Sequence, residues 1–156
     1  MGDGTGLKAL LLDDDEYALE YLKAVLLEAH PSLEIETRLY PDVTGDFDLY
    51  FLDDDFEGIR LAAKLARKIR VIKPNAVILA FSASLDQRTL KELVAAGCSG
   101  VCDKKVASDM PAMMAALARC IAELEAARTR HRPRTNLIAT FRALFREWNQ
   151  RLDRQE

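Results

Sequence analysis

Short apolar runs alternate along this chain with segments of helical period. Leu7–Leu12 predicts a buried strand, and Glu16–Ala29 predicts a helix with Leu19, Leu22, Leu26 and Ala29 on one face, stopped at His30-Pro31. Leu33–Leu39 predicts a second strand; its alternation of Glu34, Glu36 and Arg38 with apolar residues suits a sheet edge with one wet face. Phe47–Leu52 predicts a third strand, and Ile59–Val71 a helix whose inner face carries Ile59, Ala62, Ala63, Ala66 and Ile69. Ala76–Phe81 is the fourth strand, Asp86–Ala96 a helix ended by Gly97, and Gly100–Asp103 a short fifth strand. Ser108 is placed to cap a long helix that starts at Asp109-Met110-Pro111 and runs toward Arg130.

Strands separated by helical segments predict a parallel sheet covered on both faces, a doubly wound α/β fold. One connection breaks the rule. Only "YPDVTGD", Tyr40–Asp46, joins the second and third strands, whereas a parallel crossover normally takes a dozen or more residues. The helix expected there is therefore missing or reduced to a turn.

The C-terminal region reads differently. After "RHRPRT", with Pro133 as a break, "NLIATFRALFREWNQRL" predicts one more helix. Leu137, Ile138, Phe141, Leu144, Phe145, Trp148 and Leu152 fall on one arc of it, a stripe that must be covered. Packing on its own domain, over the area left by the missing helix, ranks first. A homodimer through residues 137–152 ranks second, and an anionic membrane surface last. A single helix is not a helix-turn-helix, so no nucleic-acid partner is expected.

Charge divides the chain at the same place. The overall charge of −3 conceals 14 basic and 22 acidic side chains in residues 1–126, net −8, against 8 arginines and 3 acids in 127–156, net +5. The expected division is a body, 7–126, and a basic helical extension, 127–156. No apolar run approaches the roughly 18–20 residues of a membrane span, and Met1–Gly6 has neither the basic nor the apolar part of a secretory signal. Cys98, Cys102 and Cys120 are odd in number and lack CxxC spacing, which suits buried reduced thiols in a cytoplasmic protein.

The chemistry lies in the acids. Asp13, Asp14, Asp15 and Glu16 follow the first apolar run, and Asp53, Asp54 and Asp55 follow the third. Either run alone is as readily a solvated loop. Two runs at the carboxyl ends of buried strands fall where doubly wound folds place their sites, and a hard divalent cation can hold such carboxylates together. Ser82 closes the fourth strand and Lys104 the fifth, in the same position. Asp15, Glu16, Asp54 and Asp55 read as electrostatic surroundings. His30 and His131 suggest neither a base nor a metal site.

With "LLLDDDE", "FDLYFLD", "ILAFSAS" and "GCSGVCDKK" in this order, residues 7–125 resemble the receiver domain of two-component response regulators (CheY-like). The resemblance implies a flavodoxin-like, five-stranded parallel sheet of order 2-1-3-4-5. It implies Asp53 as phosphoacceptor, magnesium bound by Asp13, Asp14, Asp53 and the Asp55 backbone carbonyl, and Ser82 and Lys104 acting on the phosphoryl group. The implied partners are a histidine kinase or phosphotransfer protein and a downstream protein target. The chain departs from the family pattern in having Lys105 in place of a proline, Val101 in place of the switch aromatic, and no Met-Pro segment after the acceptor. Two other readings compete. A haloacid-dehalogenase-type phosphatase shares the Asp-x-Asp but expects its last acids after the lysine. A receiver-like interaction module that is never phosphorylated would not need the complete set of five side chains.

Overall fold

The computed structural model describes residues 6–130 and 137–155, with the side chains of 129–144 and 155 outside the description. Its elements in chain order are β1 (Lys8–Leu12), α1 (Glu16–Ala29), β2 (Glu34–Arg38), β3 (Leu49–Asp53), β4 (Asp55–Phe56), β5 (Ile59–Arg60), α2 (Ala62–Ile72), β6 (Val77–Ser82), α3 (Gln87–Ala95), β7 (Gly100–Asp103), α4 (Asp109–Arg130) and α5 (Leu137–Gln155). Five strands form one sheet in the order β2-β1-β3-β6-β7, all parallel. This is the expected 2-1-3-4-5 order, because β6 and β7 are the fourth and fifth predicted strands.

The two-residue period of the strands builds two cores. Leu7, Ala9, Leu11, Leu49, Phe51, Val77, Leu79 and Phe81 face one way, under Leu19 and Leu26 of α1 and Leu117, Ile121 and Leu124 of α4. Leu10, Leu12, Tyr50, Leu52, Ile78, Ala80 and Val101 face the other, under α2 and α3. The central strands β3 and β6 are buried at every residue, while β2, at the edge, has no buried residue. That difference explains why β2 alone keeps a polar alternation.

No helix joins β2 to β3. Val43 and Phe47 of the short connection turn inward and cover that edge. Phe47 meets Tyr50 edge-on at 5.7 Å, and the Arg38 guanidinium lies 5.5 Å from the Phe47 ring centre.

Two expectations are corrected. The helix predicted from Ile59 starts at Ala62, because Asp55–Phe56 and Ile59–Arg60 form an antiparallel hairpin first. Its turn residues Glu57 and Gly58 have φ of 53° and 85°, the left-handed pair that a tight two-residue hairpin demands. Ile59 is left 61% exposed. The tail, in turn, does not cover the area of the missing helix. α5 packs against α3, α4 and β7, at the opposite edge of the sheet. Trp148 and Leu152 are buried there in the core that holds Val101, Leu90 and Leu93, and Phe145 meets Trp148 edge-on at 5.5 Å. The expectations for the side chains of Leu137, Ile138, Phe141 and Leu144, and for the Pro133 break, lie outside the described residues. Among the described residues, no helix is long and apolar enough to cross a membrane.

Candidate functional site

The carboxyl ends of β1 and β3 lie side by side, because Leu12 is in register with Leu52. Asp13 and Asp53 each extend one residue beyond that pair. Both are buried, at 9% and 5% exposure. A carboxylate oxygen from each of Asp13, Asp14 and Asp53 lies within 4.8 Å of the others. Lys104, just past the end of β7, places its Nζ in ion-pair contact with Asp53 Oδ1 and 3.6 Å from Asp13 Oδ2.

The backbone fixes these carboxylates. The Asp15 N–H donates to Asp13 Oδ1 at 3.0 Å, and the Asp55 N–H to Asp53 Oδ2 at 3.1 Å. The Glu57 N–H, in the hairpin turn, donates to Asp14 Oδ2 at 2.9 Å. The hairpin that sequence reasoning missed is thus one wall of the site. Gly58 is the turn signal for it; it lies just before the helix predicted from Ile59, whose first residues, Ile59–Arg60, form the second strand of the hairpin instead.

Electrostatics show a site short of positive charge. Burial, aided by the neighbouring Asp53 charge, pushes the Asp13 carboxyl from 3.8 up to about 6, against the opposing Asp15 N–H and Lys104. Burial also raises the Asp53 carboxyl, although its hydrogen bond and ion pair with Lys104 work the other way. For Lys104 the desolvation is outweighed by Asp53 and Asp13, which hold its ammonium above the ordinary range. One lysine faces three carboxylates. A set of hard oxygen donors, two of them buried and costly to ionise, fits a magnesium ion in donor type and in charge.

Ser82 makes no hydrogen bond to those carboxylates, although its neighbour Phe81 is in register with Asp53. Ser82 is 2% exposed, and its Oγ accepts from the Ser84 N–H at 3.2 Å. Its carbonyl accepts from the Lys104 N–H at 2.9 Å, which ties the ends of β6 and β7 together. Asp55 uses its side chain to accept from the Gly58 N–H at 2.7 Å. Beside the cluster, a cavity of about 320 Å³ opens between α1 and α4, lined by Leu19, Leu22, Phe51, Phe81 and Met110 and bordered by Lys104.

The remaining acids have work of their own. Asp15 caps α1, accepting from the Tyr17 N–H at 2.9 Å and the Ala18 N–H at 3.4 Å. Asp54 accepts from the Ala62 N–H at the start of α2 and pairs with Arg60 at 3.2 Å. Arg60 also donates to Ser84 O and Thr89 Oγ1, which fastens the hairpin to the loop after Ser82.

No family model matches the chain, and no curated protein matches it. Solved structures do. The BeF3-activated receiver domain of DrrB, a Thermotoga maritima response regulator, aligns over 76% of this chain and 98% of its own, with TM-score 0.63 and 17% identity. A CheY-like receiver domain protein from Methanospirillum hungatei aligns over 78% and 98%, with TM-score 0.65 and 16% identity. The chemotaxis protein CheY4 of Vibrio cholerae aligns over 73% and 98%, with TM-score 0.60 and 18% identity. The chain has the receiver-domain fold.

Proposed function

We propose that this chain is a phosphoacceptor response regulator of a two-component phosphorelay, with a body of residues 7–126 and a regulatory extension of 127–156. One observation carries the reading: a buried Asp53 carboxylate meets Lys104 beside Asp13 and Asp14, at the sheet edge where this fold places its sites. A histidine kinase or phosphotransfer protein in the cytoplasm supplies the phosphoryl group, and a downstream protein reads the result.

The chemistry asks little covalent work of the protein. An Asp53 oxygen forms a bond to phosphorus as the donor's P–N bond breaks, and the electron pair stays on the imidazole nitrogen. The negative charge spread over the transferring oxygens must be neutralised. Lys104 supplies one positive charge at Asp53. Asp13, Asp14 and Asp53, with the Asp55 carbonyl, would hold magnesium, which when bound contributes Lewis-acid charge neutralisation. Ser82 would turn from Ser84 to a phosphoryl oxygen. The protein is then a signalling acceptor rather than an enzyme acting on a separate substrate.

Intact mass after incubation with acetyl phosphate and magnesium tests this. One phosphoryl group should be gained by the wild type and none by Asp53→Asn, which is nearly isosteric and should keep the fold. A modified Asp53→Asn protein, or a wild type that gains nothing, would refute the assignment.

A further inference from the structure

We propose that Arg151 is a latch that couples the state of the Asp53 site to the docking of α5. The proposal rests on the phosphoacceptor reading above and adds a regulated contact to it.

Among the described side chains of α5, Phe145 and Asp153 touch the body, and Trp148, Arg151 and Leu152 are its most deeply set contacts. Trp148 and Leu152 are 1% and 2% exposed, and Arg151 lies between them. Arg151 grips Asp109 with both arms of its guanidinium, Nη1 to Oδ1 at 2.7 Å and Nη2 to Oδ2 at 3.1 Å. Nη2 also lies 3.9 Å from Asp103 Oδ2. Asp103 and Asp109 are themselves buried, at 6% and 3% exposure, and among the described residues Arg151 is the cation that pairs with both. Two buried carboxylates without that cation would be strongly unfavourable, so α5 is needed where it sits.

The grip falls one residue from the site. Asp109 Oδ2 accepts from the Asp103 N–H at 3.0 Å, and Asp103 Oδ1 accepts from the Lys105 N–H at 3.0 Å. Between them is Lys104, whose Nζ holds Asp53 and Asp13. A short, continuous path therefore runs from Arg151 through Asp109 and Asp103 to Lys104 and Asp53. The turn at 103–105 is held by the latch from one side and by the carboxylate cluster from the other.

A phosphoryl group on Asp53 adds negative charge and acceptor oxygens in front of Lys104. Lys104, already in contact with Asp53, must then shift from the carboxylate to the phosphoryl oxygens, and the turn that carries it shifts with it. The turn meets the latch through the Asp103 N–H bond to Asp109 and the Asp103–Arg151 contact, so its displacement pulls on a two-armed grip whose fixed fork geometry tolerates little change. With the latch weakened, the described apolar contacts that still hold α5 are those of Phe145, Trp148 and Leu152, and a lone helix of this length is marginal in water. Phosphorylation should thus release α5 and open the surface of α3, β7 and α4 beneath it. By linkage, a docked α5 opposes phosphorylation to the same degree.

Trp148 is the chain's single tryptophan and reports docking directly. The experiment uses the full chain with magnesium and beryllium fluoride as phosphoryl mimic, with loading read separately by fluorine NMR. In the wild type, emission should be blue-shifted without the mimic and move to the red on loading. Asp53→Asn should show neither loading nor shift. Arg151→Ala should be red-shifted before any mimic is added, and by linkage it should load beryllium fluoride at lower concentration than the wild type. Asp109→Asn keeps an acceptor for the Asp103 N–H while removing the charge, and should act the same way if Arg151→Ala folds poorly. Loading without any Trp148 shift overturns the latch and leaves Asp53 as acceptor. Blue emission in both latch variants also overturns it. Absence of loading in the wild type removes the acceptor reading, and the coupling with it.

Discussion

Replacing Asp13 with Asn should make the metal-free protein more stable, although it removes a residue of the site. The folded chain holds the Asp13 carboxyl near 6, whereas in the unfolded chain it returns to its ordinary 3.8. That difference amounts to about 3 kcal/mol against the ionised folded state at neutral pH. Asn keeps an oxygen for the Asp15 N–H but gives up the 3.6 Å contact with Lys104. Discounting that loss leaves a net gain of about 1–2 kcal/mol, or roughly 3–6 °C in Tm for a chain of this size.

The pH dependence fixes the sign. Between about pH 4 and 6 the folded wild type binds more protons at Asp13 than the unfolded chain does, so its stability falls as pH rises through that window. The variant has no such group. Melts in EDTA should therefore show the Asp13→Asn advantage in full at pH 7.5 and lose it near pH 4. Saturating magnesium, at about a hundred times its Kd and worth about 2.7 kcal/mol to the wild type, should reverse the order. At ten times its Kd the gain is about 1.4 kcal/mol and should only bring the two proteins level; the variant, lacking a donor, should gain little at either concentration. A variant no more stable than wild type in EDTA at pH 7.5 would refute the burial argument. An undiminished magnesium response would remove Asp13 from the ligand set.

Burial pushes the thiols of Cys98, Cys102 and Cys120 up to about 12; a thiol reagent at pH 8 should label none in the folded protein and all three in denaturant, and one fast site would contradict the packing. Arg70 donates to the carbonyls of Gly97, Pro74 and Ala76 at 2.6–2.8 Å; Arg70→Met should cost about 2–4 kcal/mol in denaturant melts through those stranded acceptors, without altering the magnesium response. A loss below about 1 kcal/mol would mean that the carbonyls had found other partners. Ser82→Ala should still accept phosphate at Asp53 but lose the phosphate-dependent change in hydrogen exchange over 82–97; an unchanged exchange difference would place the switch elsewhere.

The strands and their order were legible because β1, β3 and β6 are continuous apolar runs, which only a sheet covered on both faces uses. The short connection was legible from length alone. What escaped the sequence reading were contacts set by tertiary placement. The 55–60 hairpin is too brief for a period, and its Glu57-Gly58 turn requires a left-handed glutamate that propensity disfavours. The seat of α5 could not be read, since an amphipathic stripe states that a helix must be covered and not by what. Trp148 lies in the same buried core as Val101, the small residue that departs from the family pattern. The pairing of Arg151 with Asp109 joins residues 42 apart, beyond the reach of any local pattern.

The two acidic runs hold seven carboxylates, and their tolerance follows from where each one is sent. Successive side chains at a strand end leave on opposite sides, so neighbours in sequence need not be neighbours in space. Asp13, Asp14 and Asp53 converge on one cluster. Asp15 turns away to cap α1, where the helix N-terminus favours negative charge. Glu16 occupies the first turn of that helix for the same reason. Asp54 turns to the start of α2 and to Arg60, and Asp55 closes the hairpin turn. Four of the seven are thus satisfied by backbone N–H groups, a helix terminus or a cation away from the cluster. The repulsion of the two acidic runs is concentrated on the three that remain, and Lys104 answers only part of it. That imbalance, lodged mostly in the buried Asp13 and Asp53, would favour a divalent cation at this edge of the sheet.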